Sequence, residues 1–195
     1  MIIGILFEGT EDEETLKSII SLVMDEIGCT SRVKFIPFDA DGYIYEKMEA
    51  ATIQFFEDTP KCDLAVFLTD IDNEPKRRKK ILDWTNEYSK ENLGTNFVVG
   101  CPDPHLEQWF LNDPIALKLT FSLPNDSSLP HVSINYAKHR IKKIIKEHAD
   151  LTKSFSESYA EIALNFNLQN NDRSFKLFYK MLRQALRTIC AKHRH

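Results

Sequence analysis

Residues 2–27 read IIGILFEGTEDEETLKSIISLVMDEI. Ile2–Glu8 is short, apolar and rich in β-branched residues, and it stops at Gly9. That is the pattern of a fully buried strand. Asp12–Ile27 then repeats its apolar residues at helical spacing, with Leu16, Ile19, Ile20, Val23 and Ile27 on one stripe. Acids crowd its first turn, where the helix dipole favours them, and Gly28 suits its end. The same alternation continues outward. Arg32–Phe38, Asp63–Thr69 and Asn96–Gly100 read as strands, and Tyr45–Glu57 and Arg77–Glu91 as helices. Near-continuous apolar strands alternating with helices predict an α/β fold: a mostly parallel, Rossmann-like sheet with helices on both faces.

Beyond Pro102 the pattern changes. His105–Leu111 predicts a short helix, residues 120–135 a loop, and Tyr136–Ala149, Ser156–Asn167 and Asp172–Ala191 three more helices. This suggests an α/β domain over 1–120 and a helical, basic C-terminal extension over 121–195, packed on it. Charge divides the same way. Residues 1–130 hold 12 Lys/Arg against 24 Asp/Glu, and residues 131–195 hold 13 against 5. An acidic body suits cations and a basic tail suits phosphates, although the two parts could simply attract each other.

With 43% hydrophobic and 28% charged residues the chain is globular rather than disordered. No apolar run approaches the roughly 18 residues of a membrane span. The opening MIIGILFEGT lacks a basic flank and a cleavage site, so it reads as the first strand rather than a leader. Cys29, Cys62, Cys101 and Cys190 are scattered without a CxxC pair, which predicts reduced thiols and a cytoplasmic location.

Open parallel sheets bind ligands at the carboxyl ends of their strands. Glu8 ends the first strand, and Asp70 and Asp72 follow the third. Carboxylates gathered there raise each other's pKa unless a cation joins them, and all-oxygen sites suit Mg²⁺ or Mn²⁺. Asp12, four residues after Glu8, could face the same place or serve only as a helix-opening acid.

Taken together, ILFEGTEDEETL (5–16) and AVFLTDIDN (65–73) resemble the Toprim domain, in which strand–Glu–Gly–helix is followed by strand–Asp–x–Asp. CPDPHLEQWFL (101–111) is similar to a stretch of RloB-like Toprim proteins, and the Glu8–Asp12 spacing to the OLD-like nucleases. The resemblance covers roughly residues 1–115 and implies a Mg²⁺- or Mn²⁺-dependent nuclease. Its catalytic acids would be Glu8, Asp70 and Asp72, with Asp12 and Glu107 as further metal ligands. It also implies an ABC- or SMC-like ATPase partner, often in phage defence, and a lysine near the leaving oxygen. Lys138, His139 and Arg140 are candidates for that group by chemistry alone. The chain has no GxxxxGK[ST] phosphate loop of its own. A non-catalytic Toprim binding or sensor subunit and a stand-alone RNA-processing ribonuclease are the alternatives. Self-association is left open.

Two basic runs remain. Lys176, Lys180, Arg183 and Arg187 project from one side of the last helix, where they could track a nucleic-acid backbone, dock on an acidic partner or face solvent. Lys76, Arg77 and Arg78 lie in a KRRKK run at a helix start, where basic charge is unfavourable, so an anion nearby, such as substrate phosphate, would explain them; a solvated loop is the alternative. Trp109 and Phe110 read as core. Cys101 and His105 could share a metal, but no second pair supports zinc.

Overall fold

The computed structural model of the chain describes residues 1–72, 74–92, 94–124, 136–150, 152–169 and 172–193. Strands β1 (Ile2–Phe7), β2 (Lys34–Asp39), β3 (Leu64–Leu68) and β4 (Phe97–Gly100) form one sheet in the order β2-β1-β3-β4. All three pairings are parallel, as expected from the buried apolar strands. Phe7 lies beside Asp39, Leu6 beside Phe67 and Leu68 beside Gly100. The strands therefore finish at one edge, and Glu8 and Asp70 leave neighbouring strands within a residue of each other's level.

Eight helices cover the sheet among the described residues: α1 (Thr10–Glu26), α2 (Ile44–Phe56), α3 (Pro75–Glu91), α4 (Leu106–Leu111), α5 (Pro114–Thr120), α6 (Ala137–His148), α7 (Phe155–Leu164) and α8 (Arg173–Lys192). Alternation along β1 divides them. Ile3, Ile5 and Phe7 join a core built with α1 and the helices from α4 onward, while Leu6 points to a second core built with α2 and α3. Gly4 lies on the second face, where an added Cβ would come within 2.5 Å of the Phe55 ring. The absence of a side chain is what lets Phe55 rest on the strand.

The first core does not stop at residue 120. Trp109 and Phe110 are fully buried, as expected. Trp109 stacks on Phe178 with centroids 5.5 Å apart and donates its indole N–H to Ser174 at 2.7 Å. Helix α7 lies along α1, and α8 packs on β4 and α1. The C-terminal helices thus complete one layer over the sheet. Helix α5, opened by Pro114 and capped by Asp113 accepting from the Ala116 N–H, was not expected from the sequence. The expected loop over 120–135 lies largely outside the described residues.

One expectation is corrected. Cys29, just past α1, and Cys190, in the last turns of α8, are joined in a disulfide. The burial of both packs them together, and only Cys62 and Cys101 remain free thiols. The inference from scattered cysteines to a reducing compartment thereby loses its support. No helix among the described residues is long and apolar enough to cross a membrane.

Candidate metal centre

The exits of β3 and β4 are tied together by backbone bonds. The Ile71 N–H donates to the carbonyls of Pro102 and Pro104, each at 3.0 Å, and the Asp72 N–H donates to Pro104 at 3.0 Å. The buried Ile71 side chain anchors the loop from below. Asp72 sits at φ +52°, a left-handed conformation that Asp tolerates better than most residues. This turn sets Asp70 and Asp72 on either side of His105, whose Nδ1 lies 3.1 Å from Asp72 Oδ1 and 3.4 Å from Asp70 Oδ2. The Leu106 N–H donates to Asp70 Oδ1 at 2.9 Å and fixes its carboxylate. Asp70, Asp72 and His105 each offer a ligand atom, and these atoms lie within 4.8 Å of one another. Two carboxylates and an imidazole converging this way could hold a divalent cation, and the imidazole favours a transition metal over Mg²⁺, which prefers an all-oxygen shell.

Glu8 stands next to this group. Its Oε1 accepts from the Thr69 hydroxyl at 2.8 Å and from the Arg77 guanidinium, which also donates to Asp72. Arg77 is nearly buried, at 12% side-chain exposure, so its charge is spent inside the site. The anion that explains a basic residue at this helix start is, for Arg77, the protein's own pair of carboxylates. Lys76 faces solvent, and the half-buried Arg78 lines a groove with Asp103 and Arg173. Burial raises the Glu8 pKa and Asp72 adds to it, against the lowering effect of Thr69 and Arg77.

A second set of carboxylates meets Asp70 from the α1 side. Asp12 fills the helix-opening role, its Oδ2 accepting from the Gly9 N–H at 3.1 Å, and its carboxyl also interacts with those of Asp70 and Glu107. Burial, then Asp70 and Glu107, push its pKa up to about 8. Burial and Glu107 push Asp70 up to about 7, against the Leu106 N–H and His105. Glu107 is 3% exposed and accepts from the Tyr159 hydroxyl at 2.9 Å. Lys138, at the start of α6, supplies the balancing charge. Desolvation works to lower its pKa, yet Glu107, Asp70, Asp12 and Glu11 outweigh it and the pKa is raised.

These shifts carry a stability signature. In the folded chain Asp70 and Asp12 keep their protons up to about 7 and about 8, whereas the model-compound value is 3.8. Their contribution is fully present below about pH 4 and is lost as pH rises through 7 and 8, at up to roughly 1.4 kcal/mol per pH unit for each group. The melting temperature in EDTA is therefore expected to be lower at pH 8.5 than at pH 5.5. Mn²⁺ should raise it more at the higher pH. A metal-free melting temperature that climbs over this range would contradict the assignment.

All five acids singled out in the sequence, Glu8, Asp12, Asp70, Asp72 and Glu107, are linked through Asp70 and Glu8. The sequence offers Cys101 as a metal-sharing partner for His105; the structure turns His105 to Asp70 and Asp72 instead, while Cys101 stays buried with its thiol pKa pushed up to about 12 by burial. Of the three adjacent basic candidates, Lys138 is the one that interacts with the Asp70, Asp12 and Glu107 carboxylates, on the side of the site away from Arg77's pairs with Glu8 and Asp72. On α8, Arg183 pairs with Glu26 at 3.0 Å, while Lys176, Lys180 and Arg187 are exposed. That helix runs away from the strand ends: its far end is tied by the disulfide to the end of α1 and by His193 to Asp63, before β3, at 3.3 Å. Comparison with protein-family models, with curated proteins and with solved structures finds no match for this chain.

Proposed function

We propose that this protein is a divalent-metal-dependent nuclease of Toprim type that hydrolyses phosphodiester bonds in DNA or RNA. The observation that carries the reading is the convergence of Asp70, Asp72 and His105 at the carboxyl edge of a parallel sheet, with Glu8 and Lys138 beside them. Asp70, Asp72 and His105 would hold the cation, which when bound supplies Lewis acidity toward a phosphoryl oxygen. Glu8, with its raised pKa, accepts the proton of the attacking water as the water oxygen bonds to phosphorus. Lys138 offers positive charge, and a proton, to the oxygen released when the ester P–O bond breaks. Arg77 holds Glu8 and Asp72 in place. Action alongside an ABC- or SMC-like ATPase, in a phage-defence setting, rests on the sequence resemblance alone.

A second reading has one observation in its favour. Arg77 already bridges Glu8 and Asp72, so part of the acidic charge is neutralised from within. A non-catalytic Toprim subunit that binds nucleic acid or a partner would need no more than that.

The test of the proposal is metal binding coupled to cleavage. Mn²⁺ binding, followed by electron paramagnetic resonance, is expected to weaken at least about tenfold in His105→Ala. Cleavage of nucleic acid should need added Mn²⁺ or Mg²⁺ and stop with EDTA. Unchanged Mn²⁺ affinity in the variant would remove His105 from the centre.

A further inference from the structure

Helix α6 has the sequence AKHRIKKIIKEH, with five Lys/Arg and a single acid, Glu147. Ala137, Ile141, Ile144 and Ile145 are buried and fix which side faces the protein. At 100° per residue, Lys138, His139, Lys142, Lys143 and Lys146 fall within an arc of about 140° on the opposite side. Among the described residues these five side chains line an open surface hollow of about 580 Å³. Nothing among the described residues covers it.

The internal counter-charges are weak. Lys142 reaches Glu11 at 3.5 Å and Lys143 reaches Glu147 at 3.7 Å, both long for ion pairs, and partly exposed pairs of this kind contribute little. Lys142 also lies over the Phe155 ring, 5.3 Å from its centroid. The first turn of α6 holds no acid, so its dipole leaves the cations there uncompensated except by the metal-centre carboxylates facing Lys138. The row begins at that centre and extends along a helix about 18 Å long. The cations of α8 carry equal charge but descend toward the other end of the sheet.

We infer that the cationic face of α6 is the track for the nucleic-acid backbone, leading one strand to the acidic centre. This rests on the nuclease reading, and it replaces α8 and the start of α3 as the principal phosphate-contacting surface. Several phosphates would lie against Lys142, Lys143 and Lys146, with the scissile one delivered past Lys138. The contact is charge to charge, so it is independent of base sequence and falls with salt.

The experiment is fluorescence anisotropy with a labelled DNA single strand and its RNA counterpart, in EDTA, on the full chain. The combined variant Lys142→Gln, Lys143→Gln, Lys146→Gln is compared with the parent and with Lys176→Gln, Lys180→Gln, Arg187→Gln. Circular dichroism confirms that each is folded. The α6 variant is expected to bind at least tenfold more weakly and to lower the salt slope by about 2, at roughly 0.7 per phosphate contact. Parental affinity in the α6 variant, a larger loss from the α8 variant, or a parent that binds neither strand would overturn the inference. Cleavage, measured in parallel with Mn²⁺, separates the two readings. Binding that depends on α6 without cleavage sinks the nuclease and keeps the track. Cleavage indifferent to α6 sinks the track and keeps the nuclease.

Discussion

Asp70→Asn is expected to reduce metal-dependent hydrolysis at least about a hundredfold while leaving the fold intact. Asp70 is where the two halves of the site meet: its carboxylate belongs to the group with Asp72 and His105, and it also interacts with Asp12, Glu107 and Glu8. The amide oxygen of Asn can still accept the Leu106 N–H, so α4 stays anchored. What is lost is a negative charge, and with it the affinity for a cation. The same loss relieves crowding among carboxylates. In EDTA at pH 8, above its pKa of about 7, the variant should therefore be more stable than the parent, by on the order of 1 kcal/mol. A site that is merely an acidic cluster would show the stability gain with no change in activity. The two readouts together separate catalysis from charge.

The second large effect concerns the disulfide. Cys29 and Cys190 are 161 residues apart, so the bond closes most of the chain into a loop. In the chain-entropy limit such a closure is worth about 5 kcal/mol, and loss of native disulfides costs roughly 2–5 kcal/mol. Cys190→Ser, or strong reductant on the parent, should lower stability to denaturant by that order. Helix α8 should remain docked at its other end, because Phe175, Phe178, Leu182 and Leu186 are buried against Trp109 and the sheet. Alkylation of the denatured, unreduced parent should label two cysteines, Cys62 and Cys101. Labelling of four would contradict the bond.

The sheet was legible in the sequence because its central strands are buried on both faces and so appear as unbroken apolar runs, Ile2–Phe7 and Leu64–Leu68, while the edge strand Lys34–Asp39 is partly exposed. Glu8, Asp70 and Asp72 could be read for the same reason: they follow recognisable strands, and a parallel sheet brings those ends to one edge. His105 was harder. It sits between two prolines' carbonyl bonds and a short helix, and only the turn that ties Asp72 to Pro104 shows which way it faces. Lys138 lies more than sixty residues downstream of Asp70, on a helix whose docking no local pattern reveals.

Arg77 and the cysteines show two other limits. A basic run at a helix start announces that an anion is near, but not whether that anion belongs to a ligand or to the chain itself. Glu8 and Asp72 answer that for Arg77 alone, and leave Lys76 outward. Cysteine spacing could not pair Cys29 with Cys190, because the pairing depends on α8 running the length of the sheet back to the end of α1. Residues 136–149 read as a helix in the sequence, as α6 is. The position of its cationic face beside the metal centre follows only from packing against α4 and α7.

The most direct test is side-by-side incubation of the parent and Asp70→Asn with plasmid DNA, single-stranded DNA and tRNA, at pH 8, with Mn²⁺, Mg²⁺ or EDTA. The account predicts cleavage of at least one substrate by the parent with metal, none in EDTA, and none by the variant. Equal cleavage by parent and variant, or cleavage that persists in EDTA, would contradict it.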